Sequence, residues 1–383
     1  MAKTHTPTSP LTPPIYFRWI DGLRGAAAVI VAIFHYHHFY LADHASRSEI
    51  PDSATFPHAW LLQPIFDHGY WAVQLFWIIS GFVFAHVYLP RPTTLRQFTV
   101  ARIARLYPLH FATLIFVALL QFISLTAAGH WQIYGSNDLR HFLLQSVMAS
   151  NLTTLNQGLS FNGPIWSVSL ELAAYAAFLV SLAGIRRFPL LMPLICSAIS
   201  FGISVSALDL PLLRLAAFTC AGYFFVGTAL YGLCQQLGWN VFRLLGLGVL
   251  AAAGALLGWD ALNSIARVVL VSVALLALLI VCDLTLPKIG QRLQPLGDLS
   301  YAIYLVHVPL QITCLLAIDL LWGNTRTFAD SPWVLPIYLA FVILFAAIAH
   351  RRIEKPAGAW LRIKLSPQSL TTAAIVLPSR HSR

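Results

Sequence analysis

The 383-residue chain reads as an all-α, polytopic transmembrane helix bundle of about ten spans. Three observations predict that class. Apolar residues make up 58% of the chain and charged ones 10%, with mean hydropathy +0.72, which leaves too little polar surface to coat a soluble body of this size. Apolar runs of about 20 residues, the length that crosses a hydrocarbon core of roughly 30 Å, recur along the sequence. Lysine and arginine are divided unevenly between the connections on the two sides.

Taken in order, the runs lie near 19–41, 70–88, 107–128, 165–184, 189–207, 212–233, 243–258, 265–282, 298–321 and 333–350. With a cytoplasmic N-terminus, 19 of the 24 Lys and Arg fall inside and only Arg47, Arg140, Arg214, Arg267 and Arg326 fall outside. That asymmetry predicts an even number of spans with both termini cytoplasmic. The net charge of +10 sits in short pieces between apolar segments rather than in one patch, which argues against nucleic acid as a partner. Residues 1–15 read as a disordered tail rich in Thr and Pro, 16–356 as the membrane domain, and 357–383 as a cytoplasmic tail. The first apolar run is full length and holds Arg24 and His35, unlike a cleavable signal peptide. Cys196, Cys220, Cys234, Cys282 and Cys314 fall in predicted spans without ligand spacing, so they read as buried small hydrophobes and no metal is expected. The connection 129–164 has an apolar piece at 142–149 and a stretch from Asn156 to Pro164, and is expected to enter the membrane as a partial helix lining a cavity. No internal repeat is visible, which counts against transport.

Polar residues inside the spans carry the functional reading, because an ionisable group in lipid costs at least a few kcal/mol. Arg24 and His35 are eleven residues apart, so they share a helix face at about 16 Å separation, with Asp21 on the same stripe. Asp21 and Arg24 also read as interface anchors. In the fourth span Ser167 and Glu171 share a face. Glu171 is placed about 9 Å below the outer boundary, the depth assigned to His35, so the two are expected to meet, with the carboxylate orienting the imidazole. In the ninth span Ser300, Tyr304, His307 and Gln311 form one polar stripe, suited to substrate contact or to hydrogen bonding between helices, and Pro309 is expected to weaken the ladder. Ser80-Gly81-Phe82 reads as a helix-packing element. Arg102 and Arg105 are expected on one side of a short interfacial helix, where guanidinium forks suit either lipid headgroups or a phosphorylated cytosolic ligand. The cluster from Arg351 to Pro356 reads as structural.

In this order the pieces resemble the acyltransferase 3 family of integral-membrane acyltransferases that modify bacterial surface polysaccharides. The resemblance runs from about residue 16 to 356. It rests on Arg24 and His35, on Ser80-Gly81-Phe82, on Arg102 with Arg105, on Trp166-Ser167 to Glu171, and on Gly297 to His307. It implies a multi-pass protein of the inner (plasma) membrane that moves an acyl group, usually acetyl, from cytoplasmic acyl-CoA to a hydroxyl of a carbohydrate or glycolipid at the outer face. It further implies His35 and Glu171 as catalytic, Arg24, Arg102 and Arg105 as donor-binding, and Asp21, Ser167, Ser300, Tyr304 and His307 as lining the substrate path. Direct transfer and an acyl-histidine relay both stay open. The competing reading is a transporter or flippase of a lipid-linked sugar, without acyl chemistry.

Overall fold

The computed structural model of the protein describes residues 13–155, 158–206, 208, 213–323 and 325–365, apart from the side chains of 47 and 49. The expectations for residues 1–12, for Asn156 and for 366–383 lie outside the described residues. Every regular element among the described residues is helical. The order is α1 (Arg18–Phe34), a 3₁₀ turn (His35–Tyr40), α2 (Ala59–His68), α3 (Trp71–Tyr88), α4 (Leu95–Ala127), α5 (Leu139–Ser146), α6 (Ile165–Arg187) and α7 (Leu191–Ser204). Then follow α8 (Leu215–Gln236), α9 (Val241–Leu257), α10 (Ser264–Thr285), α11 (Pro287–Trp322), α12 (Val334–Ala349), a π-helical turn (His350–Glu354) and α13 (Lys355–Leu365).

Each of the ten predicted spans coincides with one of these helices, and the protein is an all-α polytopic bundle. Seven stretches are long and apolar enough to cross a membrane by themselves, while α7 and α9 are shorter apolar helices. Two helices begin well before the lipid signal does. α4 starts at a capping box in which Thr94 accepts from the Gln97 backbone and Gln97 answers on the Thr94 N–H. Arg102 and Arg105 therefore sit on the opening turns of a 33-residue helix and not on a separate interfacial one. α11 starts with Pro287 in its first turn, where a missing N–H costs nothing, and continues through Pro295 and Pro309.

Backbones meet closely at two crossings. A Cβ on Gly81 of α3 would lie 1.8 Å from the Phe224 carbonyl oxygen of α8, and one on Gly227 of α8 would lie 1.8 Å from that of Ile78, so the contact is reciprocal and tolerates no side chain. The α1–α11 crossing has the same character. There a Cβ on Gly25 would come 2.6 Å from the Leu296 carbonyl oxygen, and one on Gly297 would come 2.4 Å from that of Asp21.

The connection from 129 to 164 folds inward. His110 of α4 lies 2.7 Å from the Gln145 carbonyl, and Asn162 donates to Thr113 of α4 and to the Leu305 carbonyl of α11, each at 3.0 Å. Irregular backbone thus lies inside the bundle, where protein partners satisfy it. Its residues do not line the cavities described below.

Candidate active site

One end of the bundle gathers arginines. Arg24 comes from α1, Arg102 and Arg105 from α4, and Arg362 from α13; all four line a cavity of about 390 Å³, a size in the range of small-molecule sites. From this end the cavity runs inward past Ser80, Glu171, Tyr175, Ser300 and Tyr301 to Ser167 and Tyr304. A second cavity of about 380 Å³ adjoins it, sharing Arg24, Arg105 and Arg362 and adding Asp21, Asp298, His350, Glu354 and Lys355.

The cations are balanced unequally. Arg24 pairs with Asp21 at 3.5 Å across one helix turn. Arg105 pairs with the buried Glu354, whose other oxygen lies 2.9 Å from His350 Nδ1, so the π-helical turn fixes that carboxylate from two sides. Arg102 stacks over Phe84 at 4.9 Å, and its buried Nε has no hydrogen-bond partner. Glu171 has Ser80 and Tyr175 as polar neighbours and Arg24 and Arg102 as neighbouring cations. Deeper in, Ser167 Oγ and Tyr304 Oη are 2.7 Å apart. Ser300 is buried and its Oγ is unpartnered.

His35 belongs to a different cluster. It opens the 3₁₀ turn after α1, half-buried, with its Nδ1 2.9 Å from the Val31 carbonyl oxygen. A carbonyl only accepts, so Nδ1 carries the proton and Nε2 is the basic nitrogen. Its ring centroid lies 5.0 Å from that of His307 and 4.9 Å from that of His38. His307 is fully buried, with Nδ1 3.3 Å from the Ile303 carbonyl and Nε2 unpartnered. His307 is also 5.9 Å, centroid to centroid, from Tyr304, which lines the large cavity.

One expectation is corrected by this arrangement. Glu171 does not orient His35. Ser167 is level with Tyr304, Glu171 lies four residues further toward the arginine end, and His307 lies three residues the other way, which separates Glu171 from the level of His35 by about 10 Å along the axis. The error lies in the start of α6: the preceding segment dives to Leu305, so Ile165 begins inside the bundle and not at its outer boundary. His35 and His307 are not among the residues that line the large cavity, and the ring of His307 lies between His35 and Tyr304 on the cavity wall.

The expected residues Asp21, Arg24, Arg102, Arg105, Ser167, Glu171, Ser300 and Tyr304 all line these two cavities. Sequence reasoning missed Ser80, Tyr175, Tyr301, Glu354 and Arg362. Ser80 was hidden inside a packing element. Tyr175 was findable, four residues from Glu171 and so on its face.

Such a bundle, with a cationic cavity and buried hydroxyls and imidazoles beyond it, defines a multi-pass membrane protein with a polar site inside it. A family model described as an acyltransferase domain matches residues 17–351, and the chain belongs to this acyltransferase 3 family of membrane acyltransferases. The chain is also similar to a Rhizobium radiobacter protein named "Protein 2 in picA locus", at 31% identity over 182 residues, or 44% of this chain and 83% of that one. No solved structure matches the chain.

Proposed function

We propose that this acyltransferase takes an acyl group, acetyl in the simplest case, from acyl-CoA at the arginine-rich end. It passes the group to a hydroxyl of a carbohydrate or glycolipid at the opposite face of the inner membrane. The observation that carries the reading is the path itself: guanidinia at the mouth, a cavity of about 390 Å³, and on its wall the Ser167–Tyr304 pair, next to His307, whose ring in turn packs against His35. Coenzyme A is a polyanion and cannot cross lipid, so its phosphates remain with Arg24, Arg102 and Arg105 while the thin pantetheine arm enters the cavity. The uneven division of Lys and Arg between the connections predicted from the sequence favours the cytoplasm for it.

His35 Nε2 removes the proton of the acceptor hydroxyl as its oxygen attacks the thioester carbonyl carbon. The C–S bond then breaks and the proton passes to the departing thiolate. Such a general-base step contributes about 10²- to 10⁴-fold. His307 takes the supporting role expected of Glu171, because its unpartnered Nε2 can accept from a protonated neighbour such as His35. Glu171 serves the cavity, holding Arg24 and Arg102 in place.

The test supplies labelled acetyl-CoA to inverted membrane vesicles containing the protein. Label in the saccharide or glycolipid fraction, with free coenzyme A released in step, is the expected result. Hydrolysis alone would overturn the saccharide acceptor, and movement of an unmodified glycolipid without label would return the protein to the transporter reading.

A further inference from the structure

The cations of the two cavities do not all come from the span region, since Lys355 and Arg362 belong to α13. Arg362 lies on α13, beyond residue 351 where the family match ends, and lines both cavities at their junction. No hydrogen bond or ion pair joins it to any described residue. Its charged neighbours are Arg102 and Arg105, both of its own sign. Of these three guanidinia only that of Arg105 forms a close ion pair, with Glu354, while Arg102 has Glu171 as a more distant charged neighbour.

Like charges held together at a cavity mouth repel one another, and an arriving polyanion relieves that repulsion at no cost in rearrangement. The helix that presents Arg362 is firmly seated. Its Gly358 lies so close to α4 that a Cβ would come 2.5 Å from the Ala104 carbonyl oxygen, and Arg96 of α4 donates to the Leu365 carbonyl at 3.0 Å. The same α4 carries Arg102 and Arg105, so the seat of α13 fixes Arg362 relative to both.

We infer that α13 is part of the donor site and that Arg362 binds a phosphate group of the donor, completing with Arg102 and Arg105 a three-arginine clamp spread over two helices. The inference rests on the acyl-CoA reading above. The phosphate of an anionic lipid offers the same chemistry, and the experiment separates the two sources.

The full-length protein is reconstituted in nanodiscs of zwitterionic lipid, and binding of coenzyme A and of pantetheine, which lacks phosphate, is measured for the wild type, Arg362→Ala, Arg362→Lys and the control Lys364→Ala. Arg362→Ala is expected to weaken coenzyme A binding by roughly tenfold or more, as loss of a charge-assisted contact does, and to leave pantetheine unchanged. Arg362→Lys should recover part of the loss, since the charge returns without the fork. Lys364→Ala should match the wild type. The inference is overturned if Arg362→Ala binds coenzyme A as the wild type does, or loses pantetheine equally, which marks a structural role. It is also overturned if a loss occurs only with anionic lipid present, which assigns Arg362 to headgroups. A wild type that binds no coenzyme A at all would remove the donor reading itself.

Discussion

At the arginine-rich end, four guanidinia surround cavities and two of them, Arg102 and Arg362, form no close ion pair, whereas at the histidine end a hydrogen-bonded network runs around the 3₁₀ turn, with His307 Nε2 left open. There Gln311 accepts at 2.9 Å from His38 and donates at 2.8 Å to the His35 carbonyl. Arg326 donates to the Leu41 and Ala42 carbonyls that close the 3₁₀ turn, and pairs with Asp319 at 2.7 Å. Asp319 also accepts from Gln132 at 2.6 Å and lies 3.2 Å from His130. A satisfied network is rigid, and an unsatisfied cationic cavity is ready for a ligand. The contrast fits the proposed function, with binding at one end and chemistry at the other.

The largest expected effect tests that division directly. His35→Ala should lower acyl transfer by about 10²- to 10⁴-fold while coenzyme A binding stays at the wild-type level. Transfer of labelled acetyl and ligand binding, measured on the same preparation, decide the matter. Retained transfer would take His35 out of the chemistry, and a parallel loss of binding would merge the two ends into one site.

A second effect concerns the rigidity of the histidine end. Asp319→Leu leaves the buried Arg326 without its carboxylate and strips Gln132 of an acceptor, so a loss of about 3–5 kcal/mol is expected. Thermal unfolding in detergent would read it as a large fall in midpoint. A neutral result would mean that the 3₁₀ turn bearing His35 is held by other contacts, and the contrast between the two ends would weaken.

What the sequence made legible follows from which physics is local. Hydrophobic runs locate spans, so all ten were found, and the stripe Ser300, Tyr304, His307 and Gln311 does turn into the bundle, each of the four being buried. Helix starts were less readable: lipid hydrophobicity begins at the membrane, but α4 and α11 begin at a capping box and at a proline some ten residues earlier. Depth was misjudged for Glu171 because the dive of residues 158–164 depends on Asn162 reaching Leu305, 143 positions away. Arg362 gave no local signal, since its helix is seated by Ala104 through Gly358.

The smallest effect lies at the entrance of the segment that dives. Asp138 caps α5, accepting from the His141 backbone N–H at 2.9 Å and from the His141 imidazole at 2.8 Å. Those donors hold its carboxyl below the usual carboxylate range. A depressed value stabilises the fold at pH above the unfolded carboxylate range, and the contribution fades as pH falls through the folded value. Asp138→Ala should therefore cost about 1 kcal/mol near neutral pH, typical of a lost cap, and progressively less in acid. Thermal unfolding of both proteins across pH 3–7 measures it. Curves that stay parallel over that range would mean that the cap acts through packing, not charge, and that α5 is seated entirely by Gln145, whose amide reaches the Ser160 and Asn162 carbonyls at 3.3 and 2.9 Å.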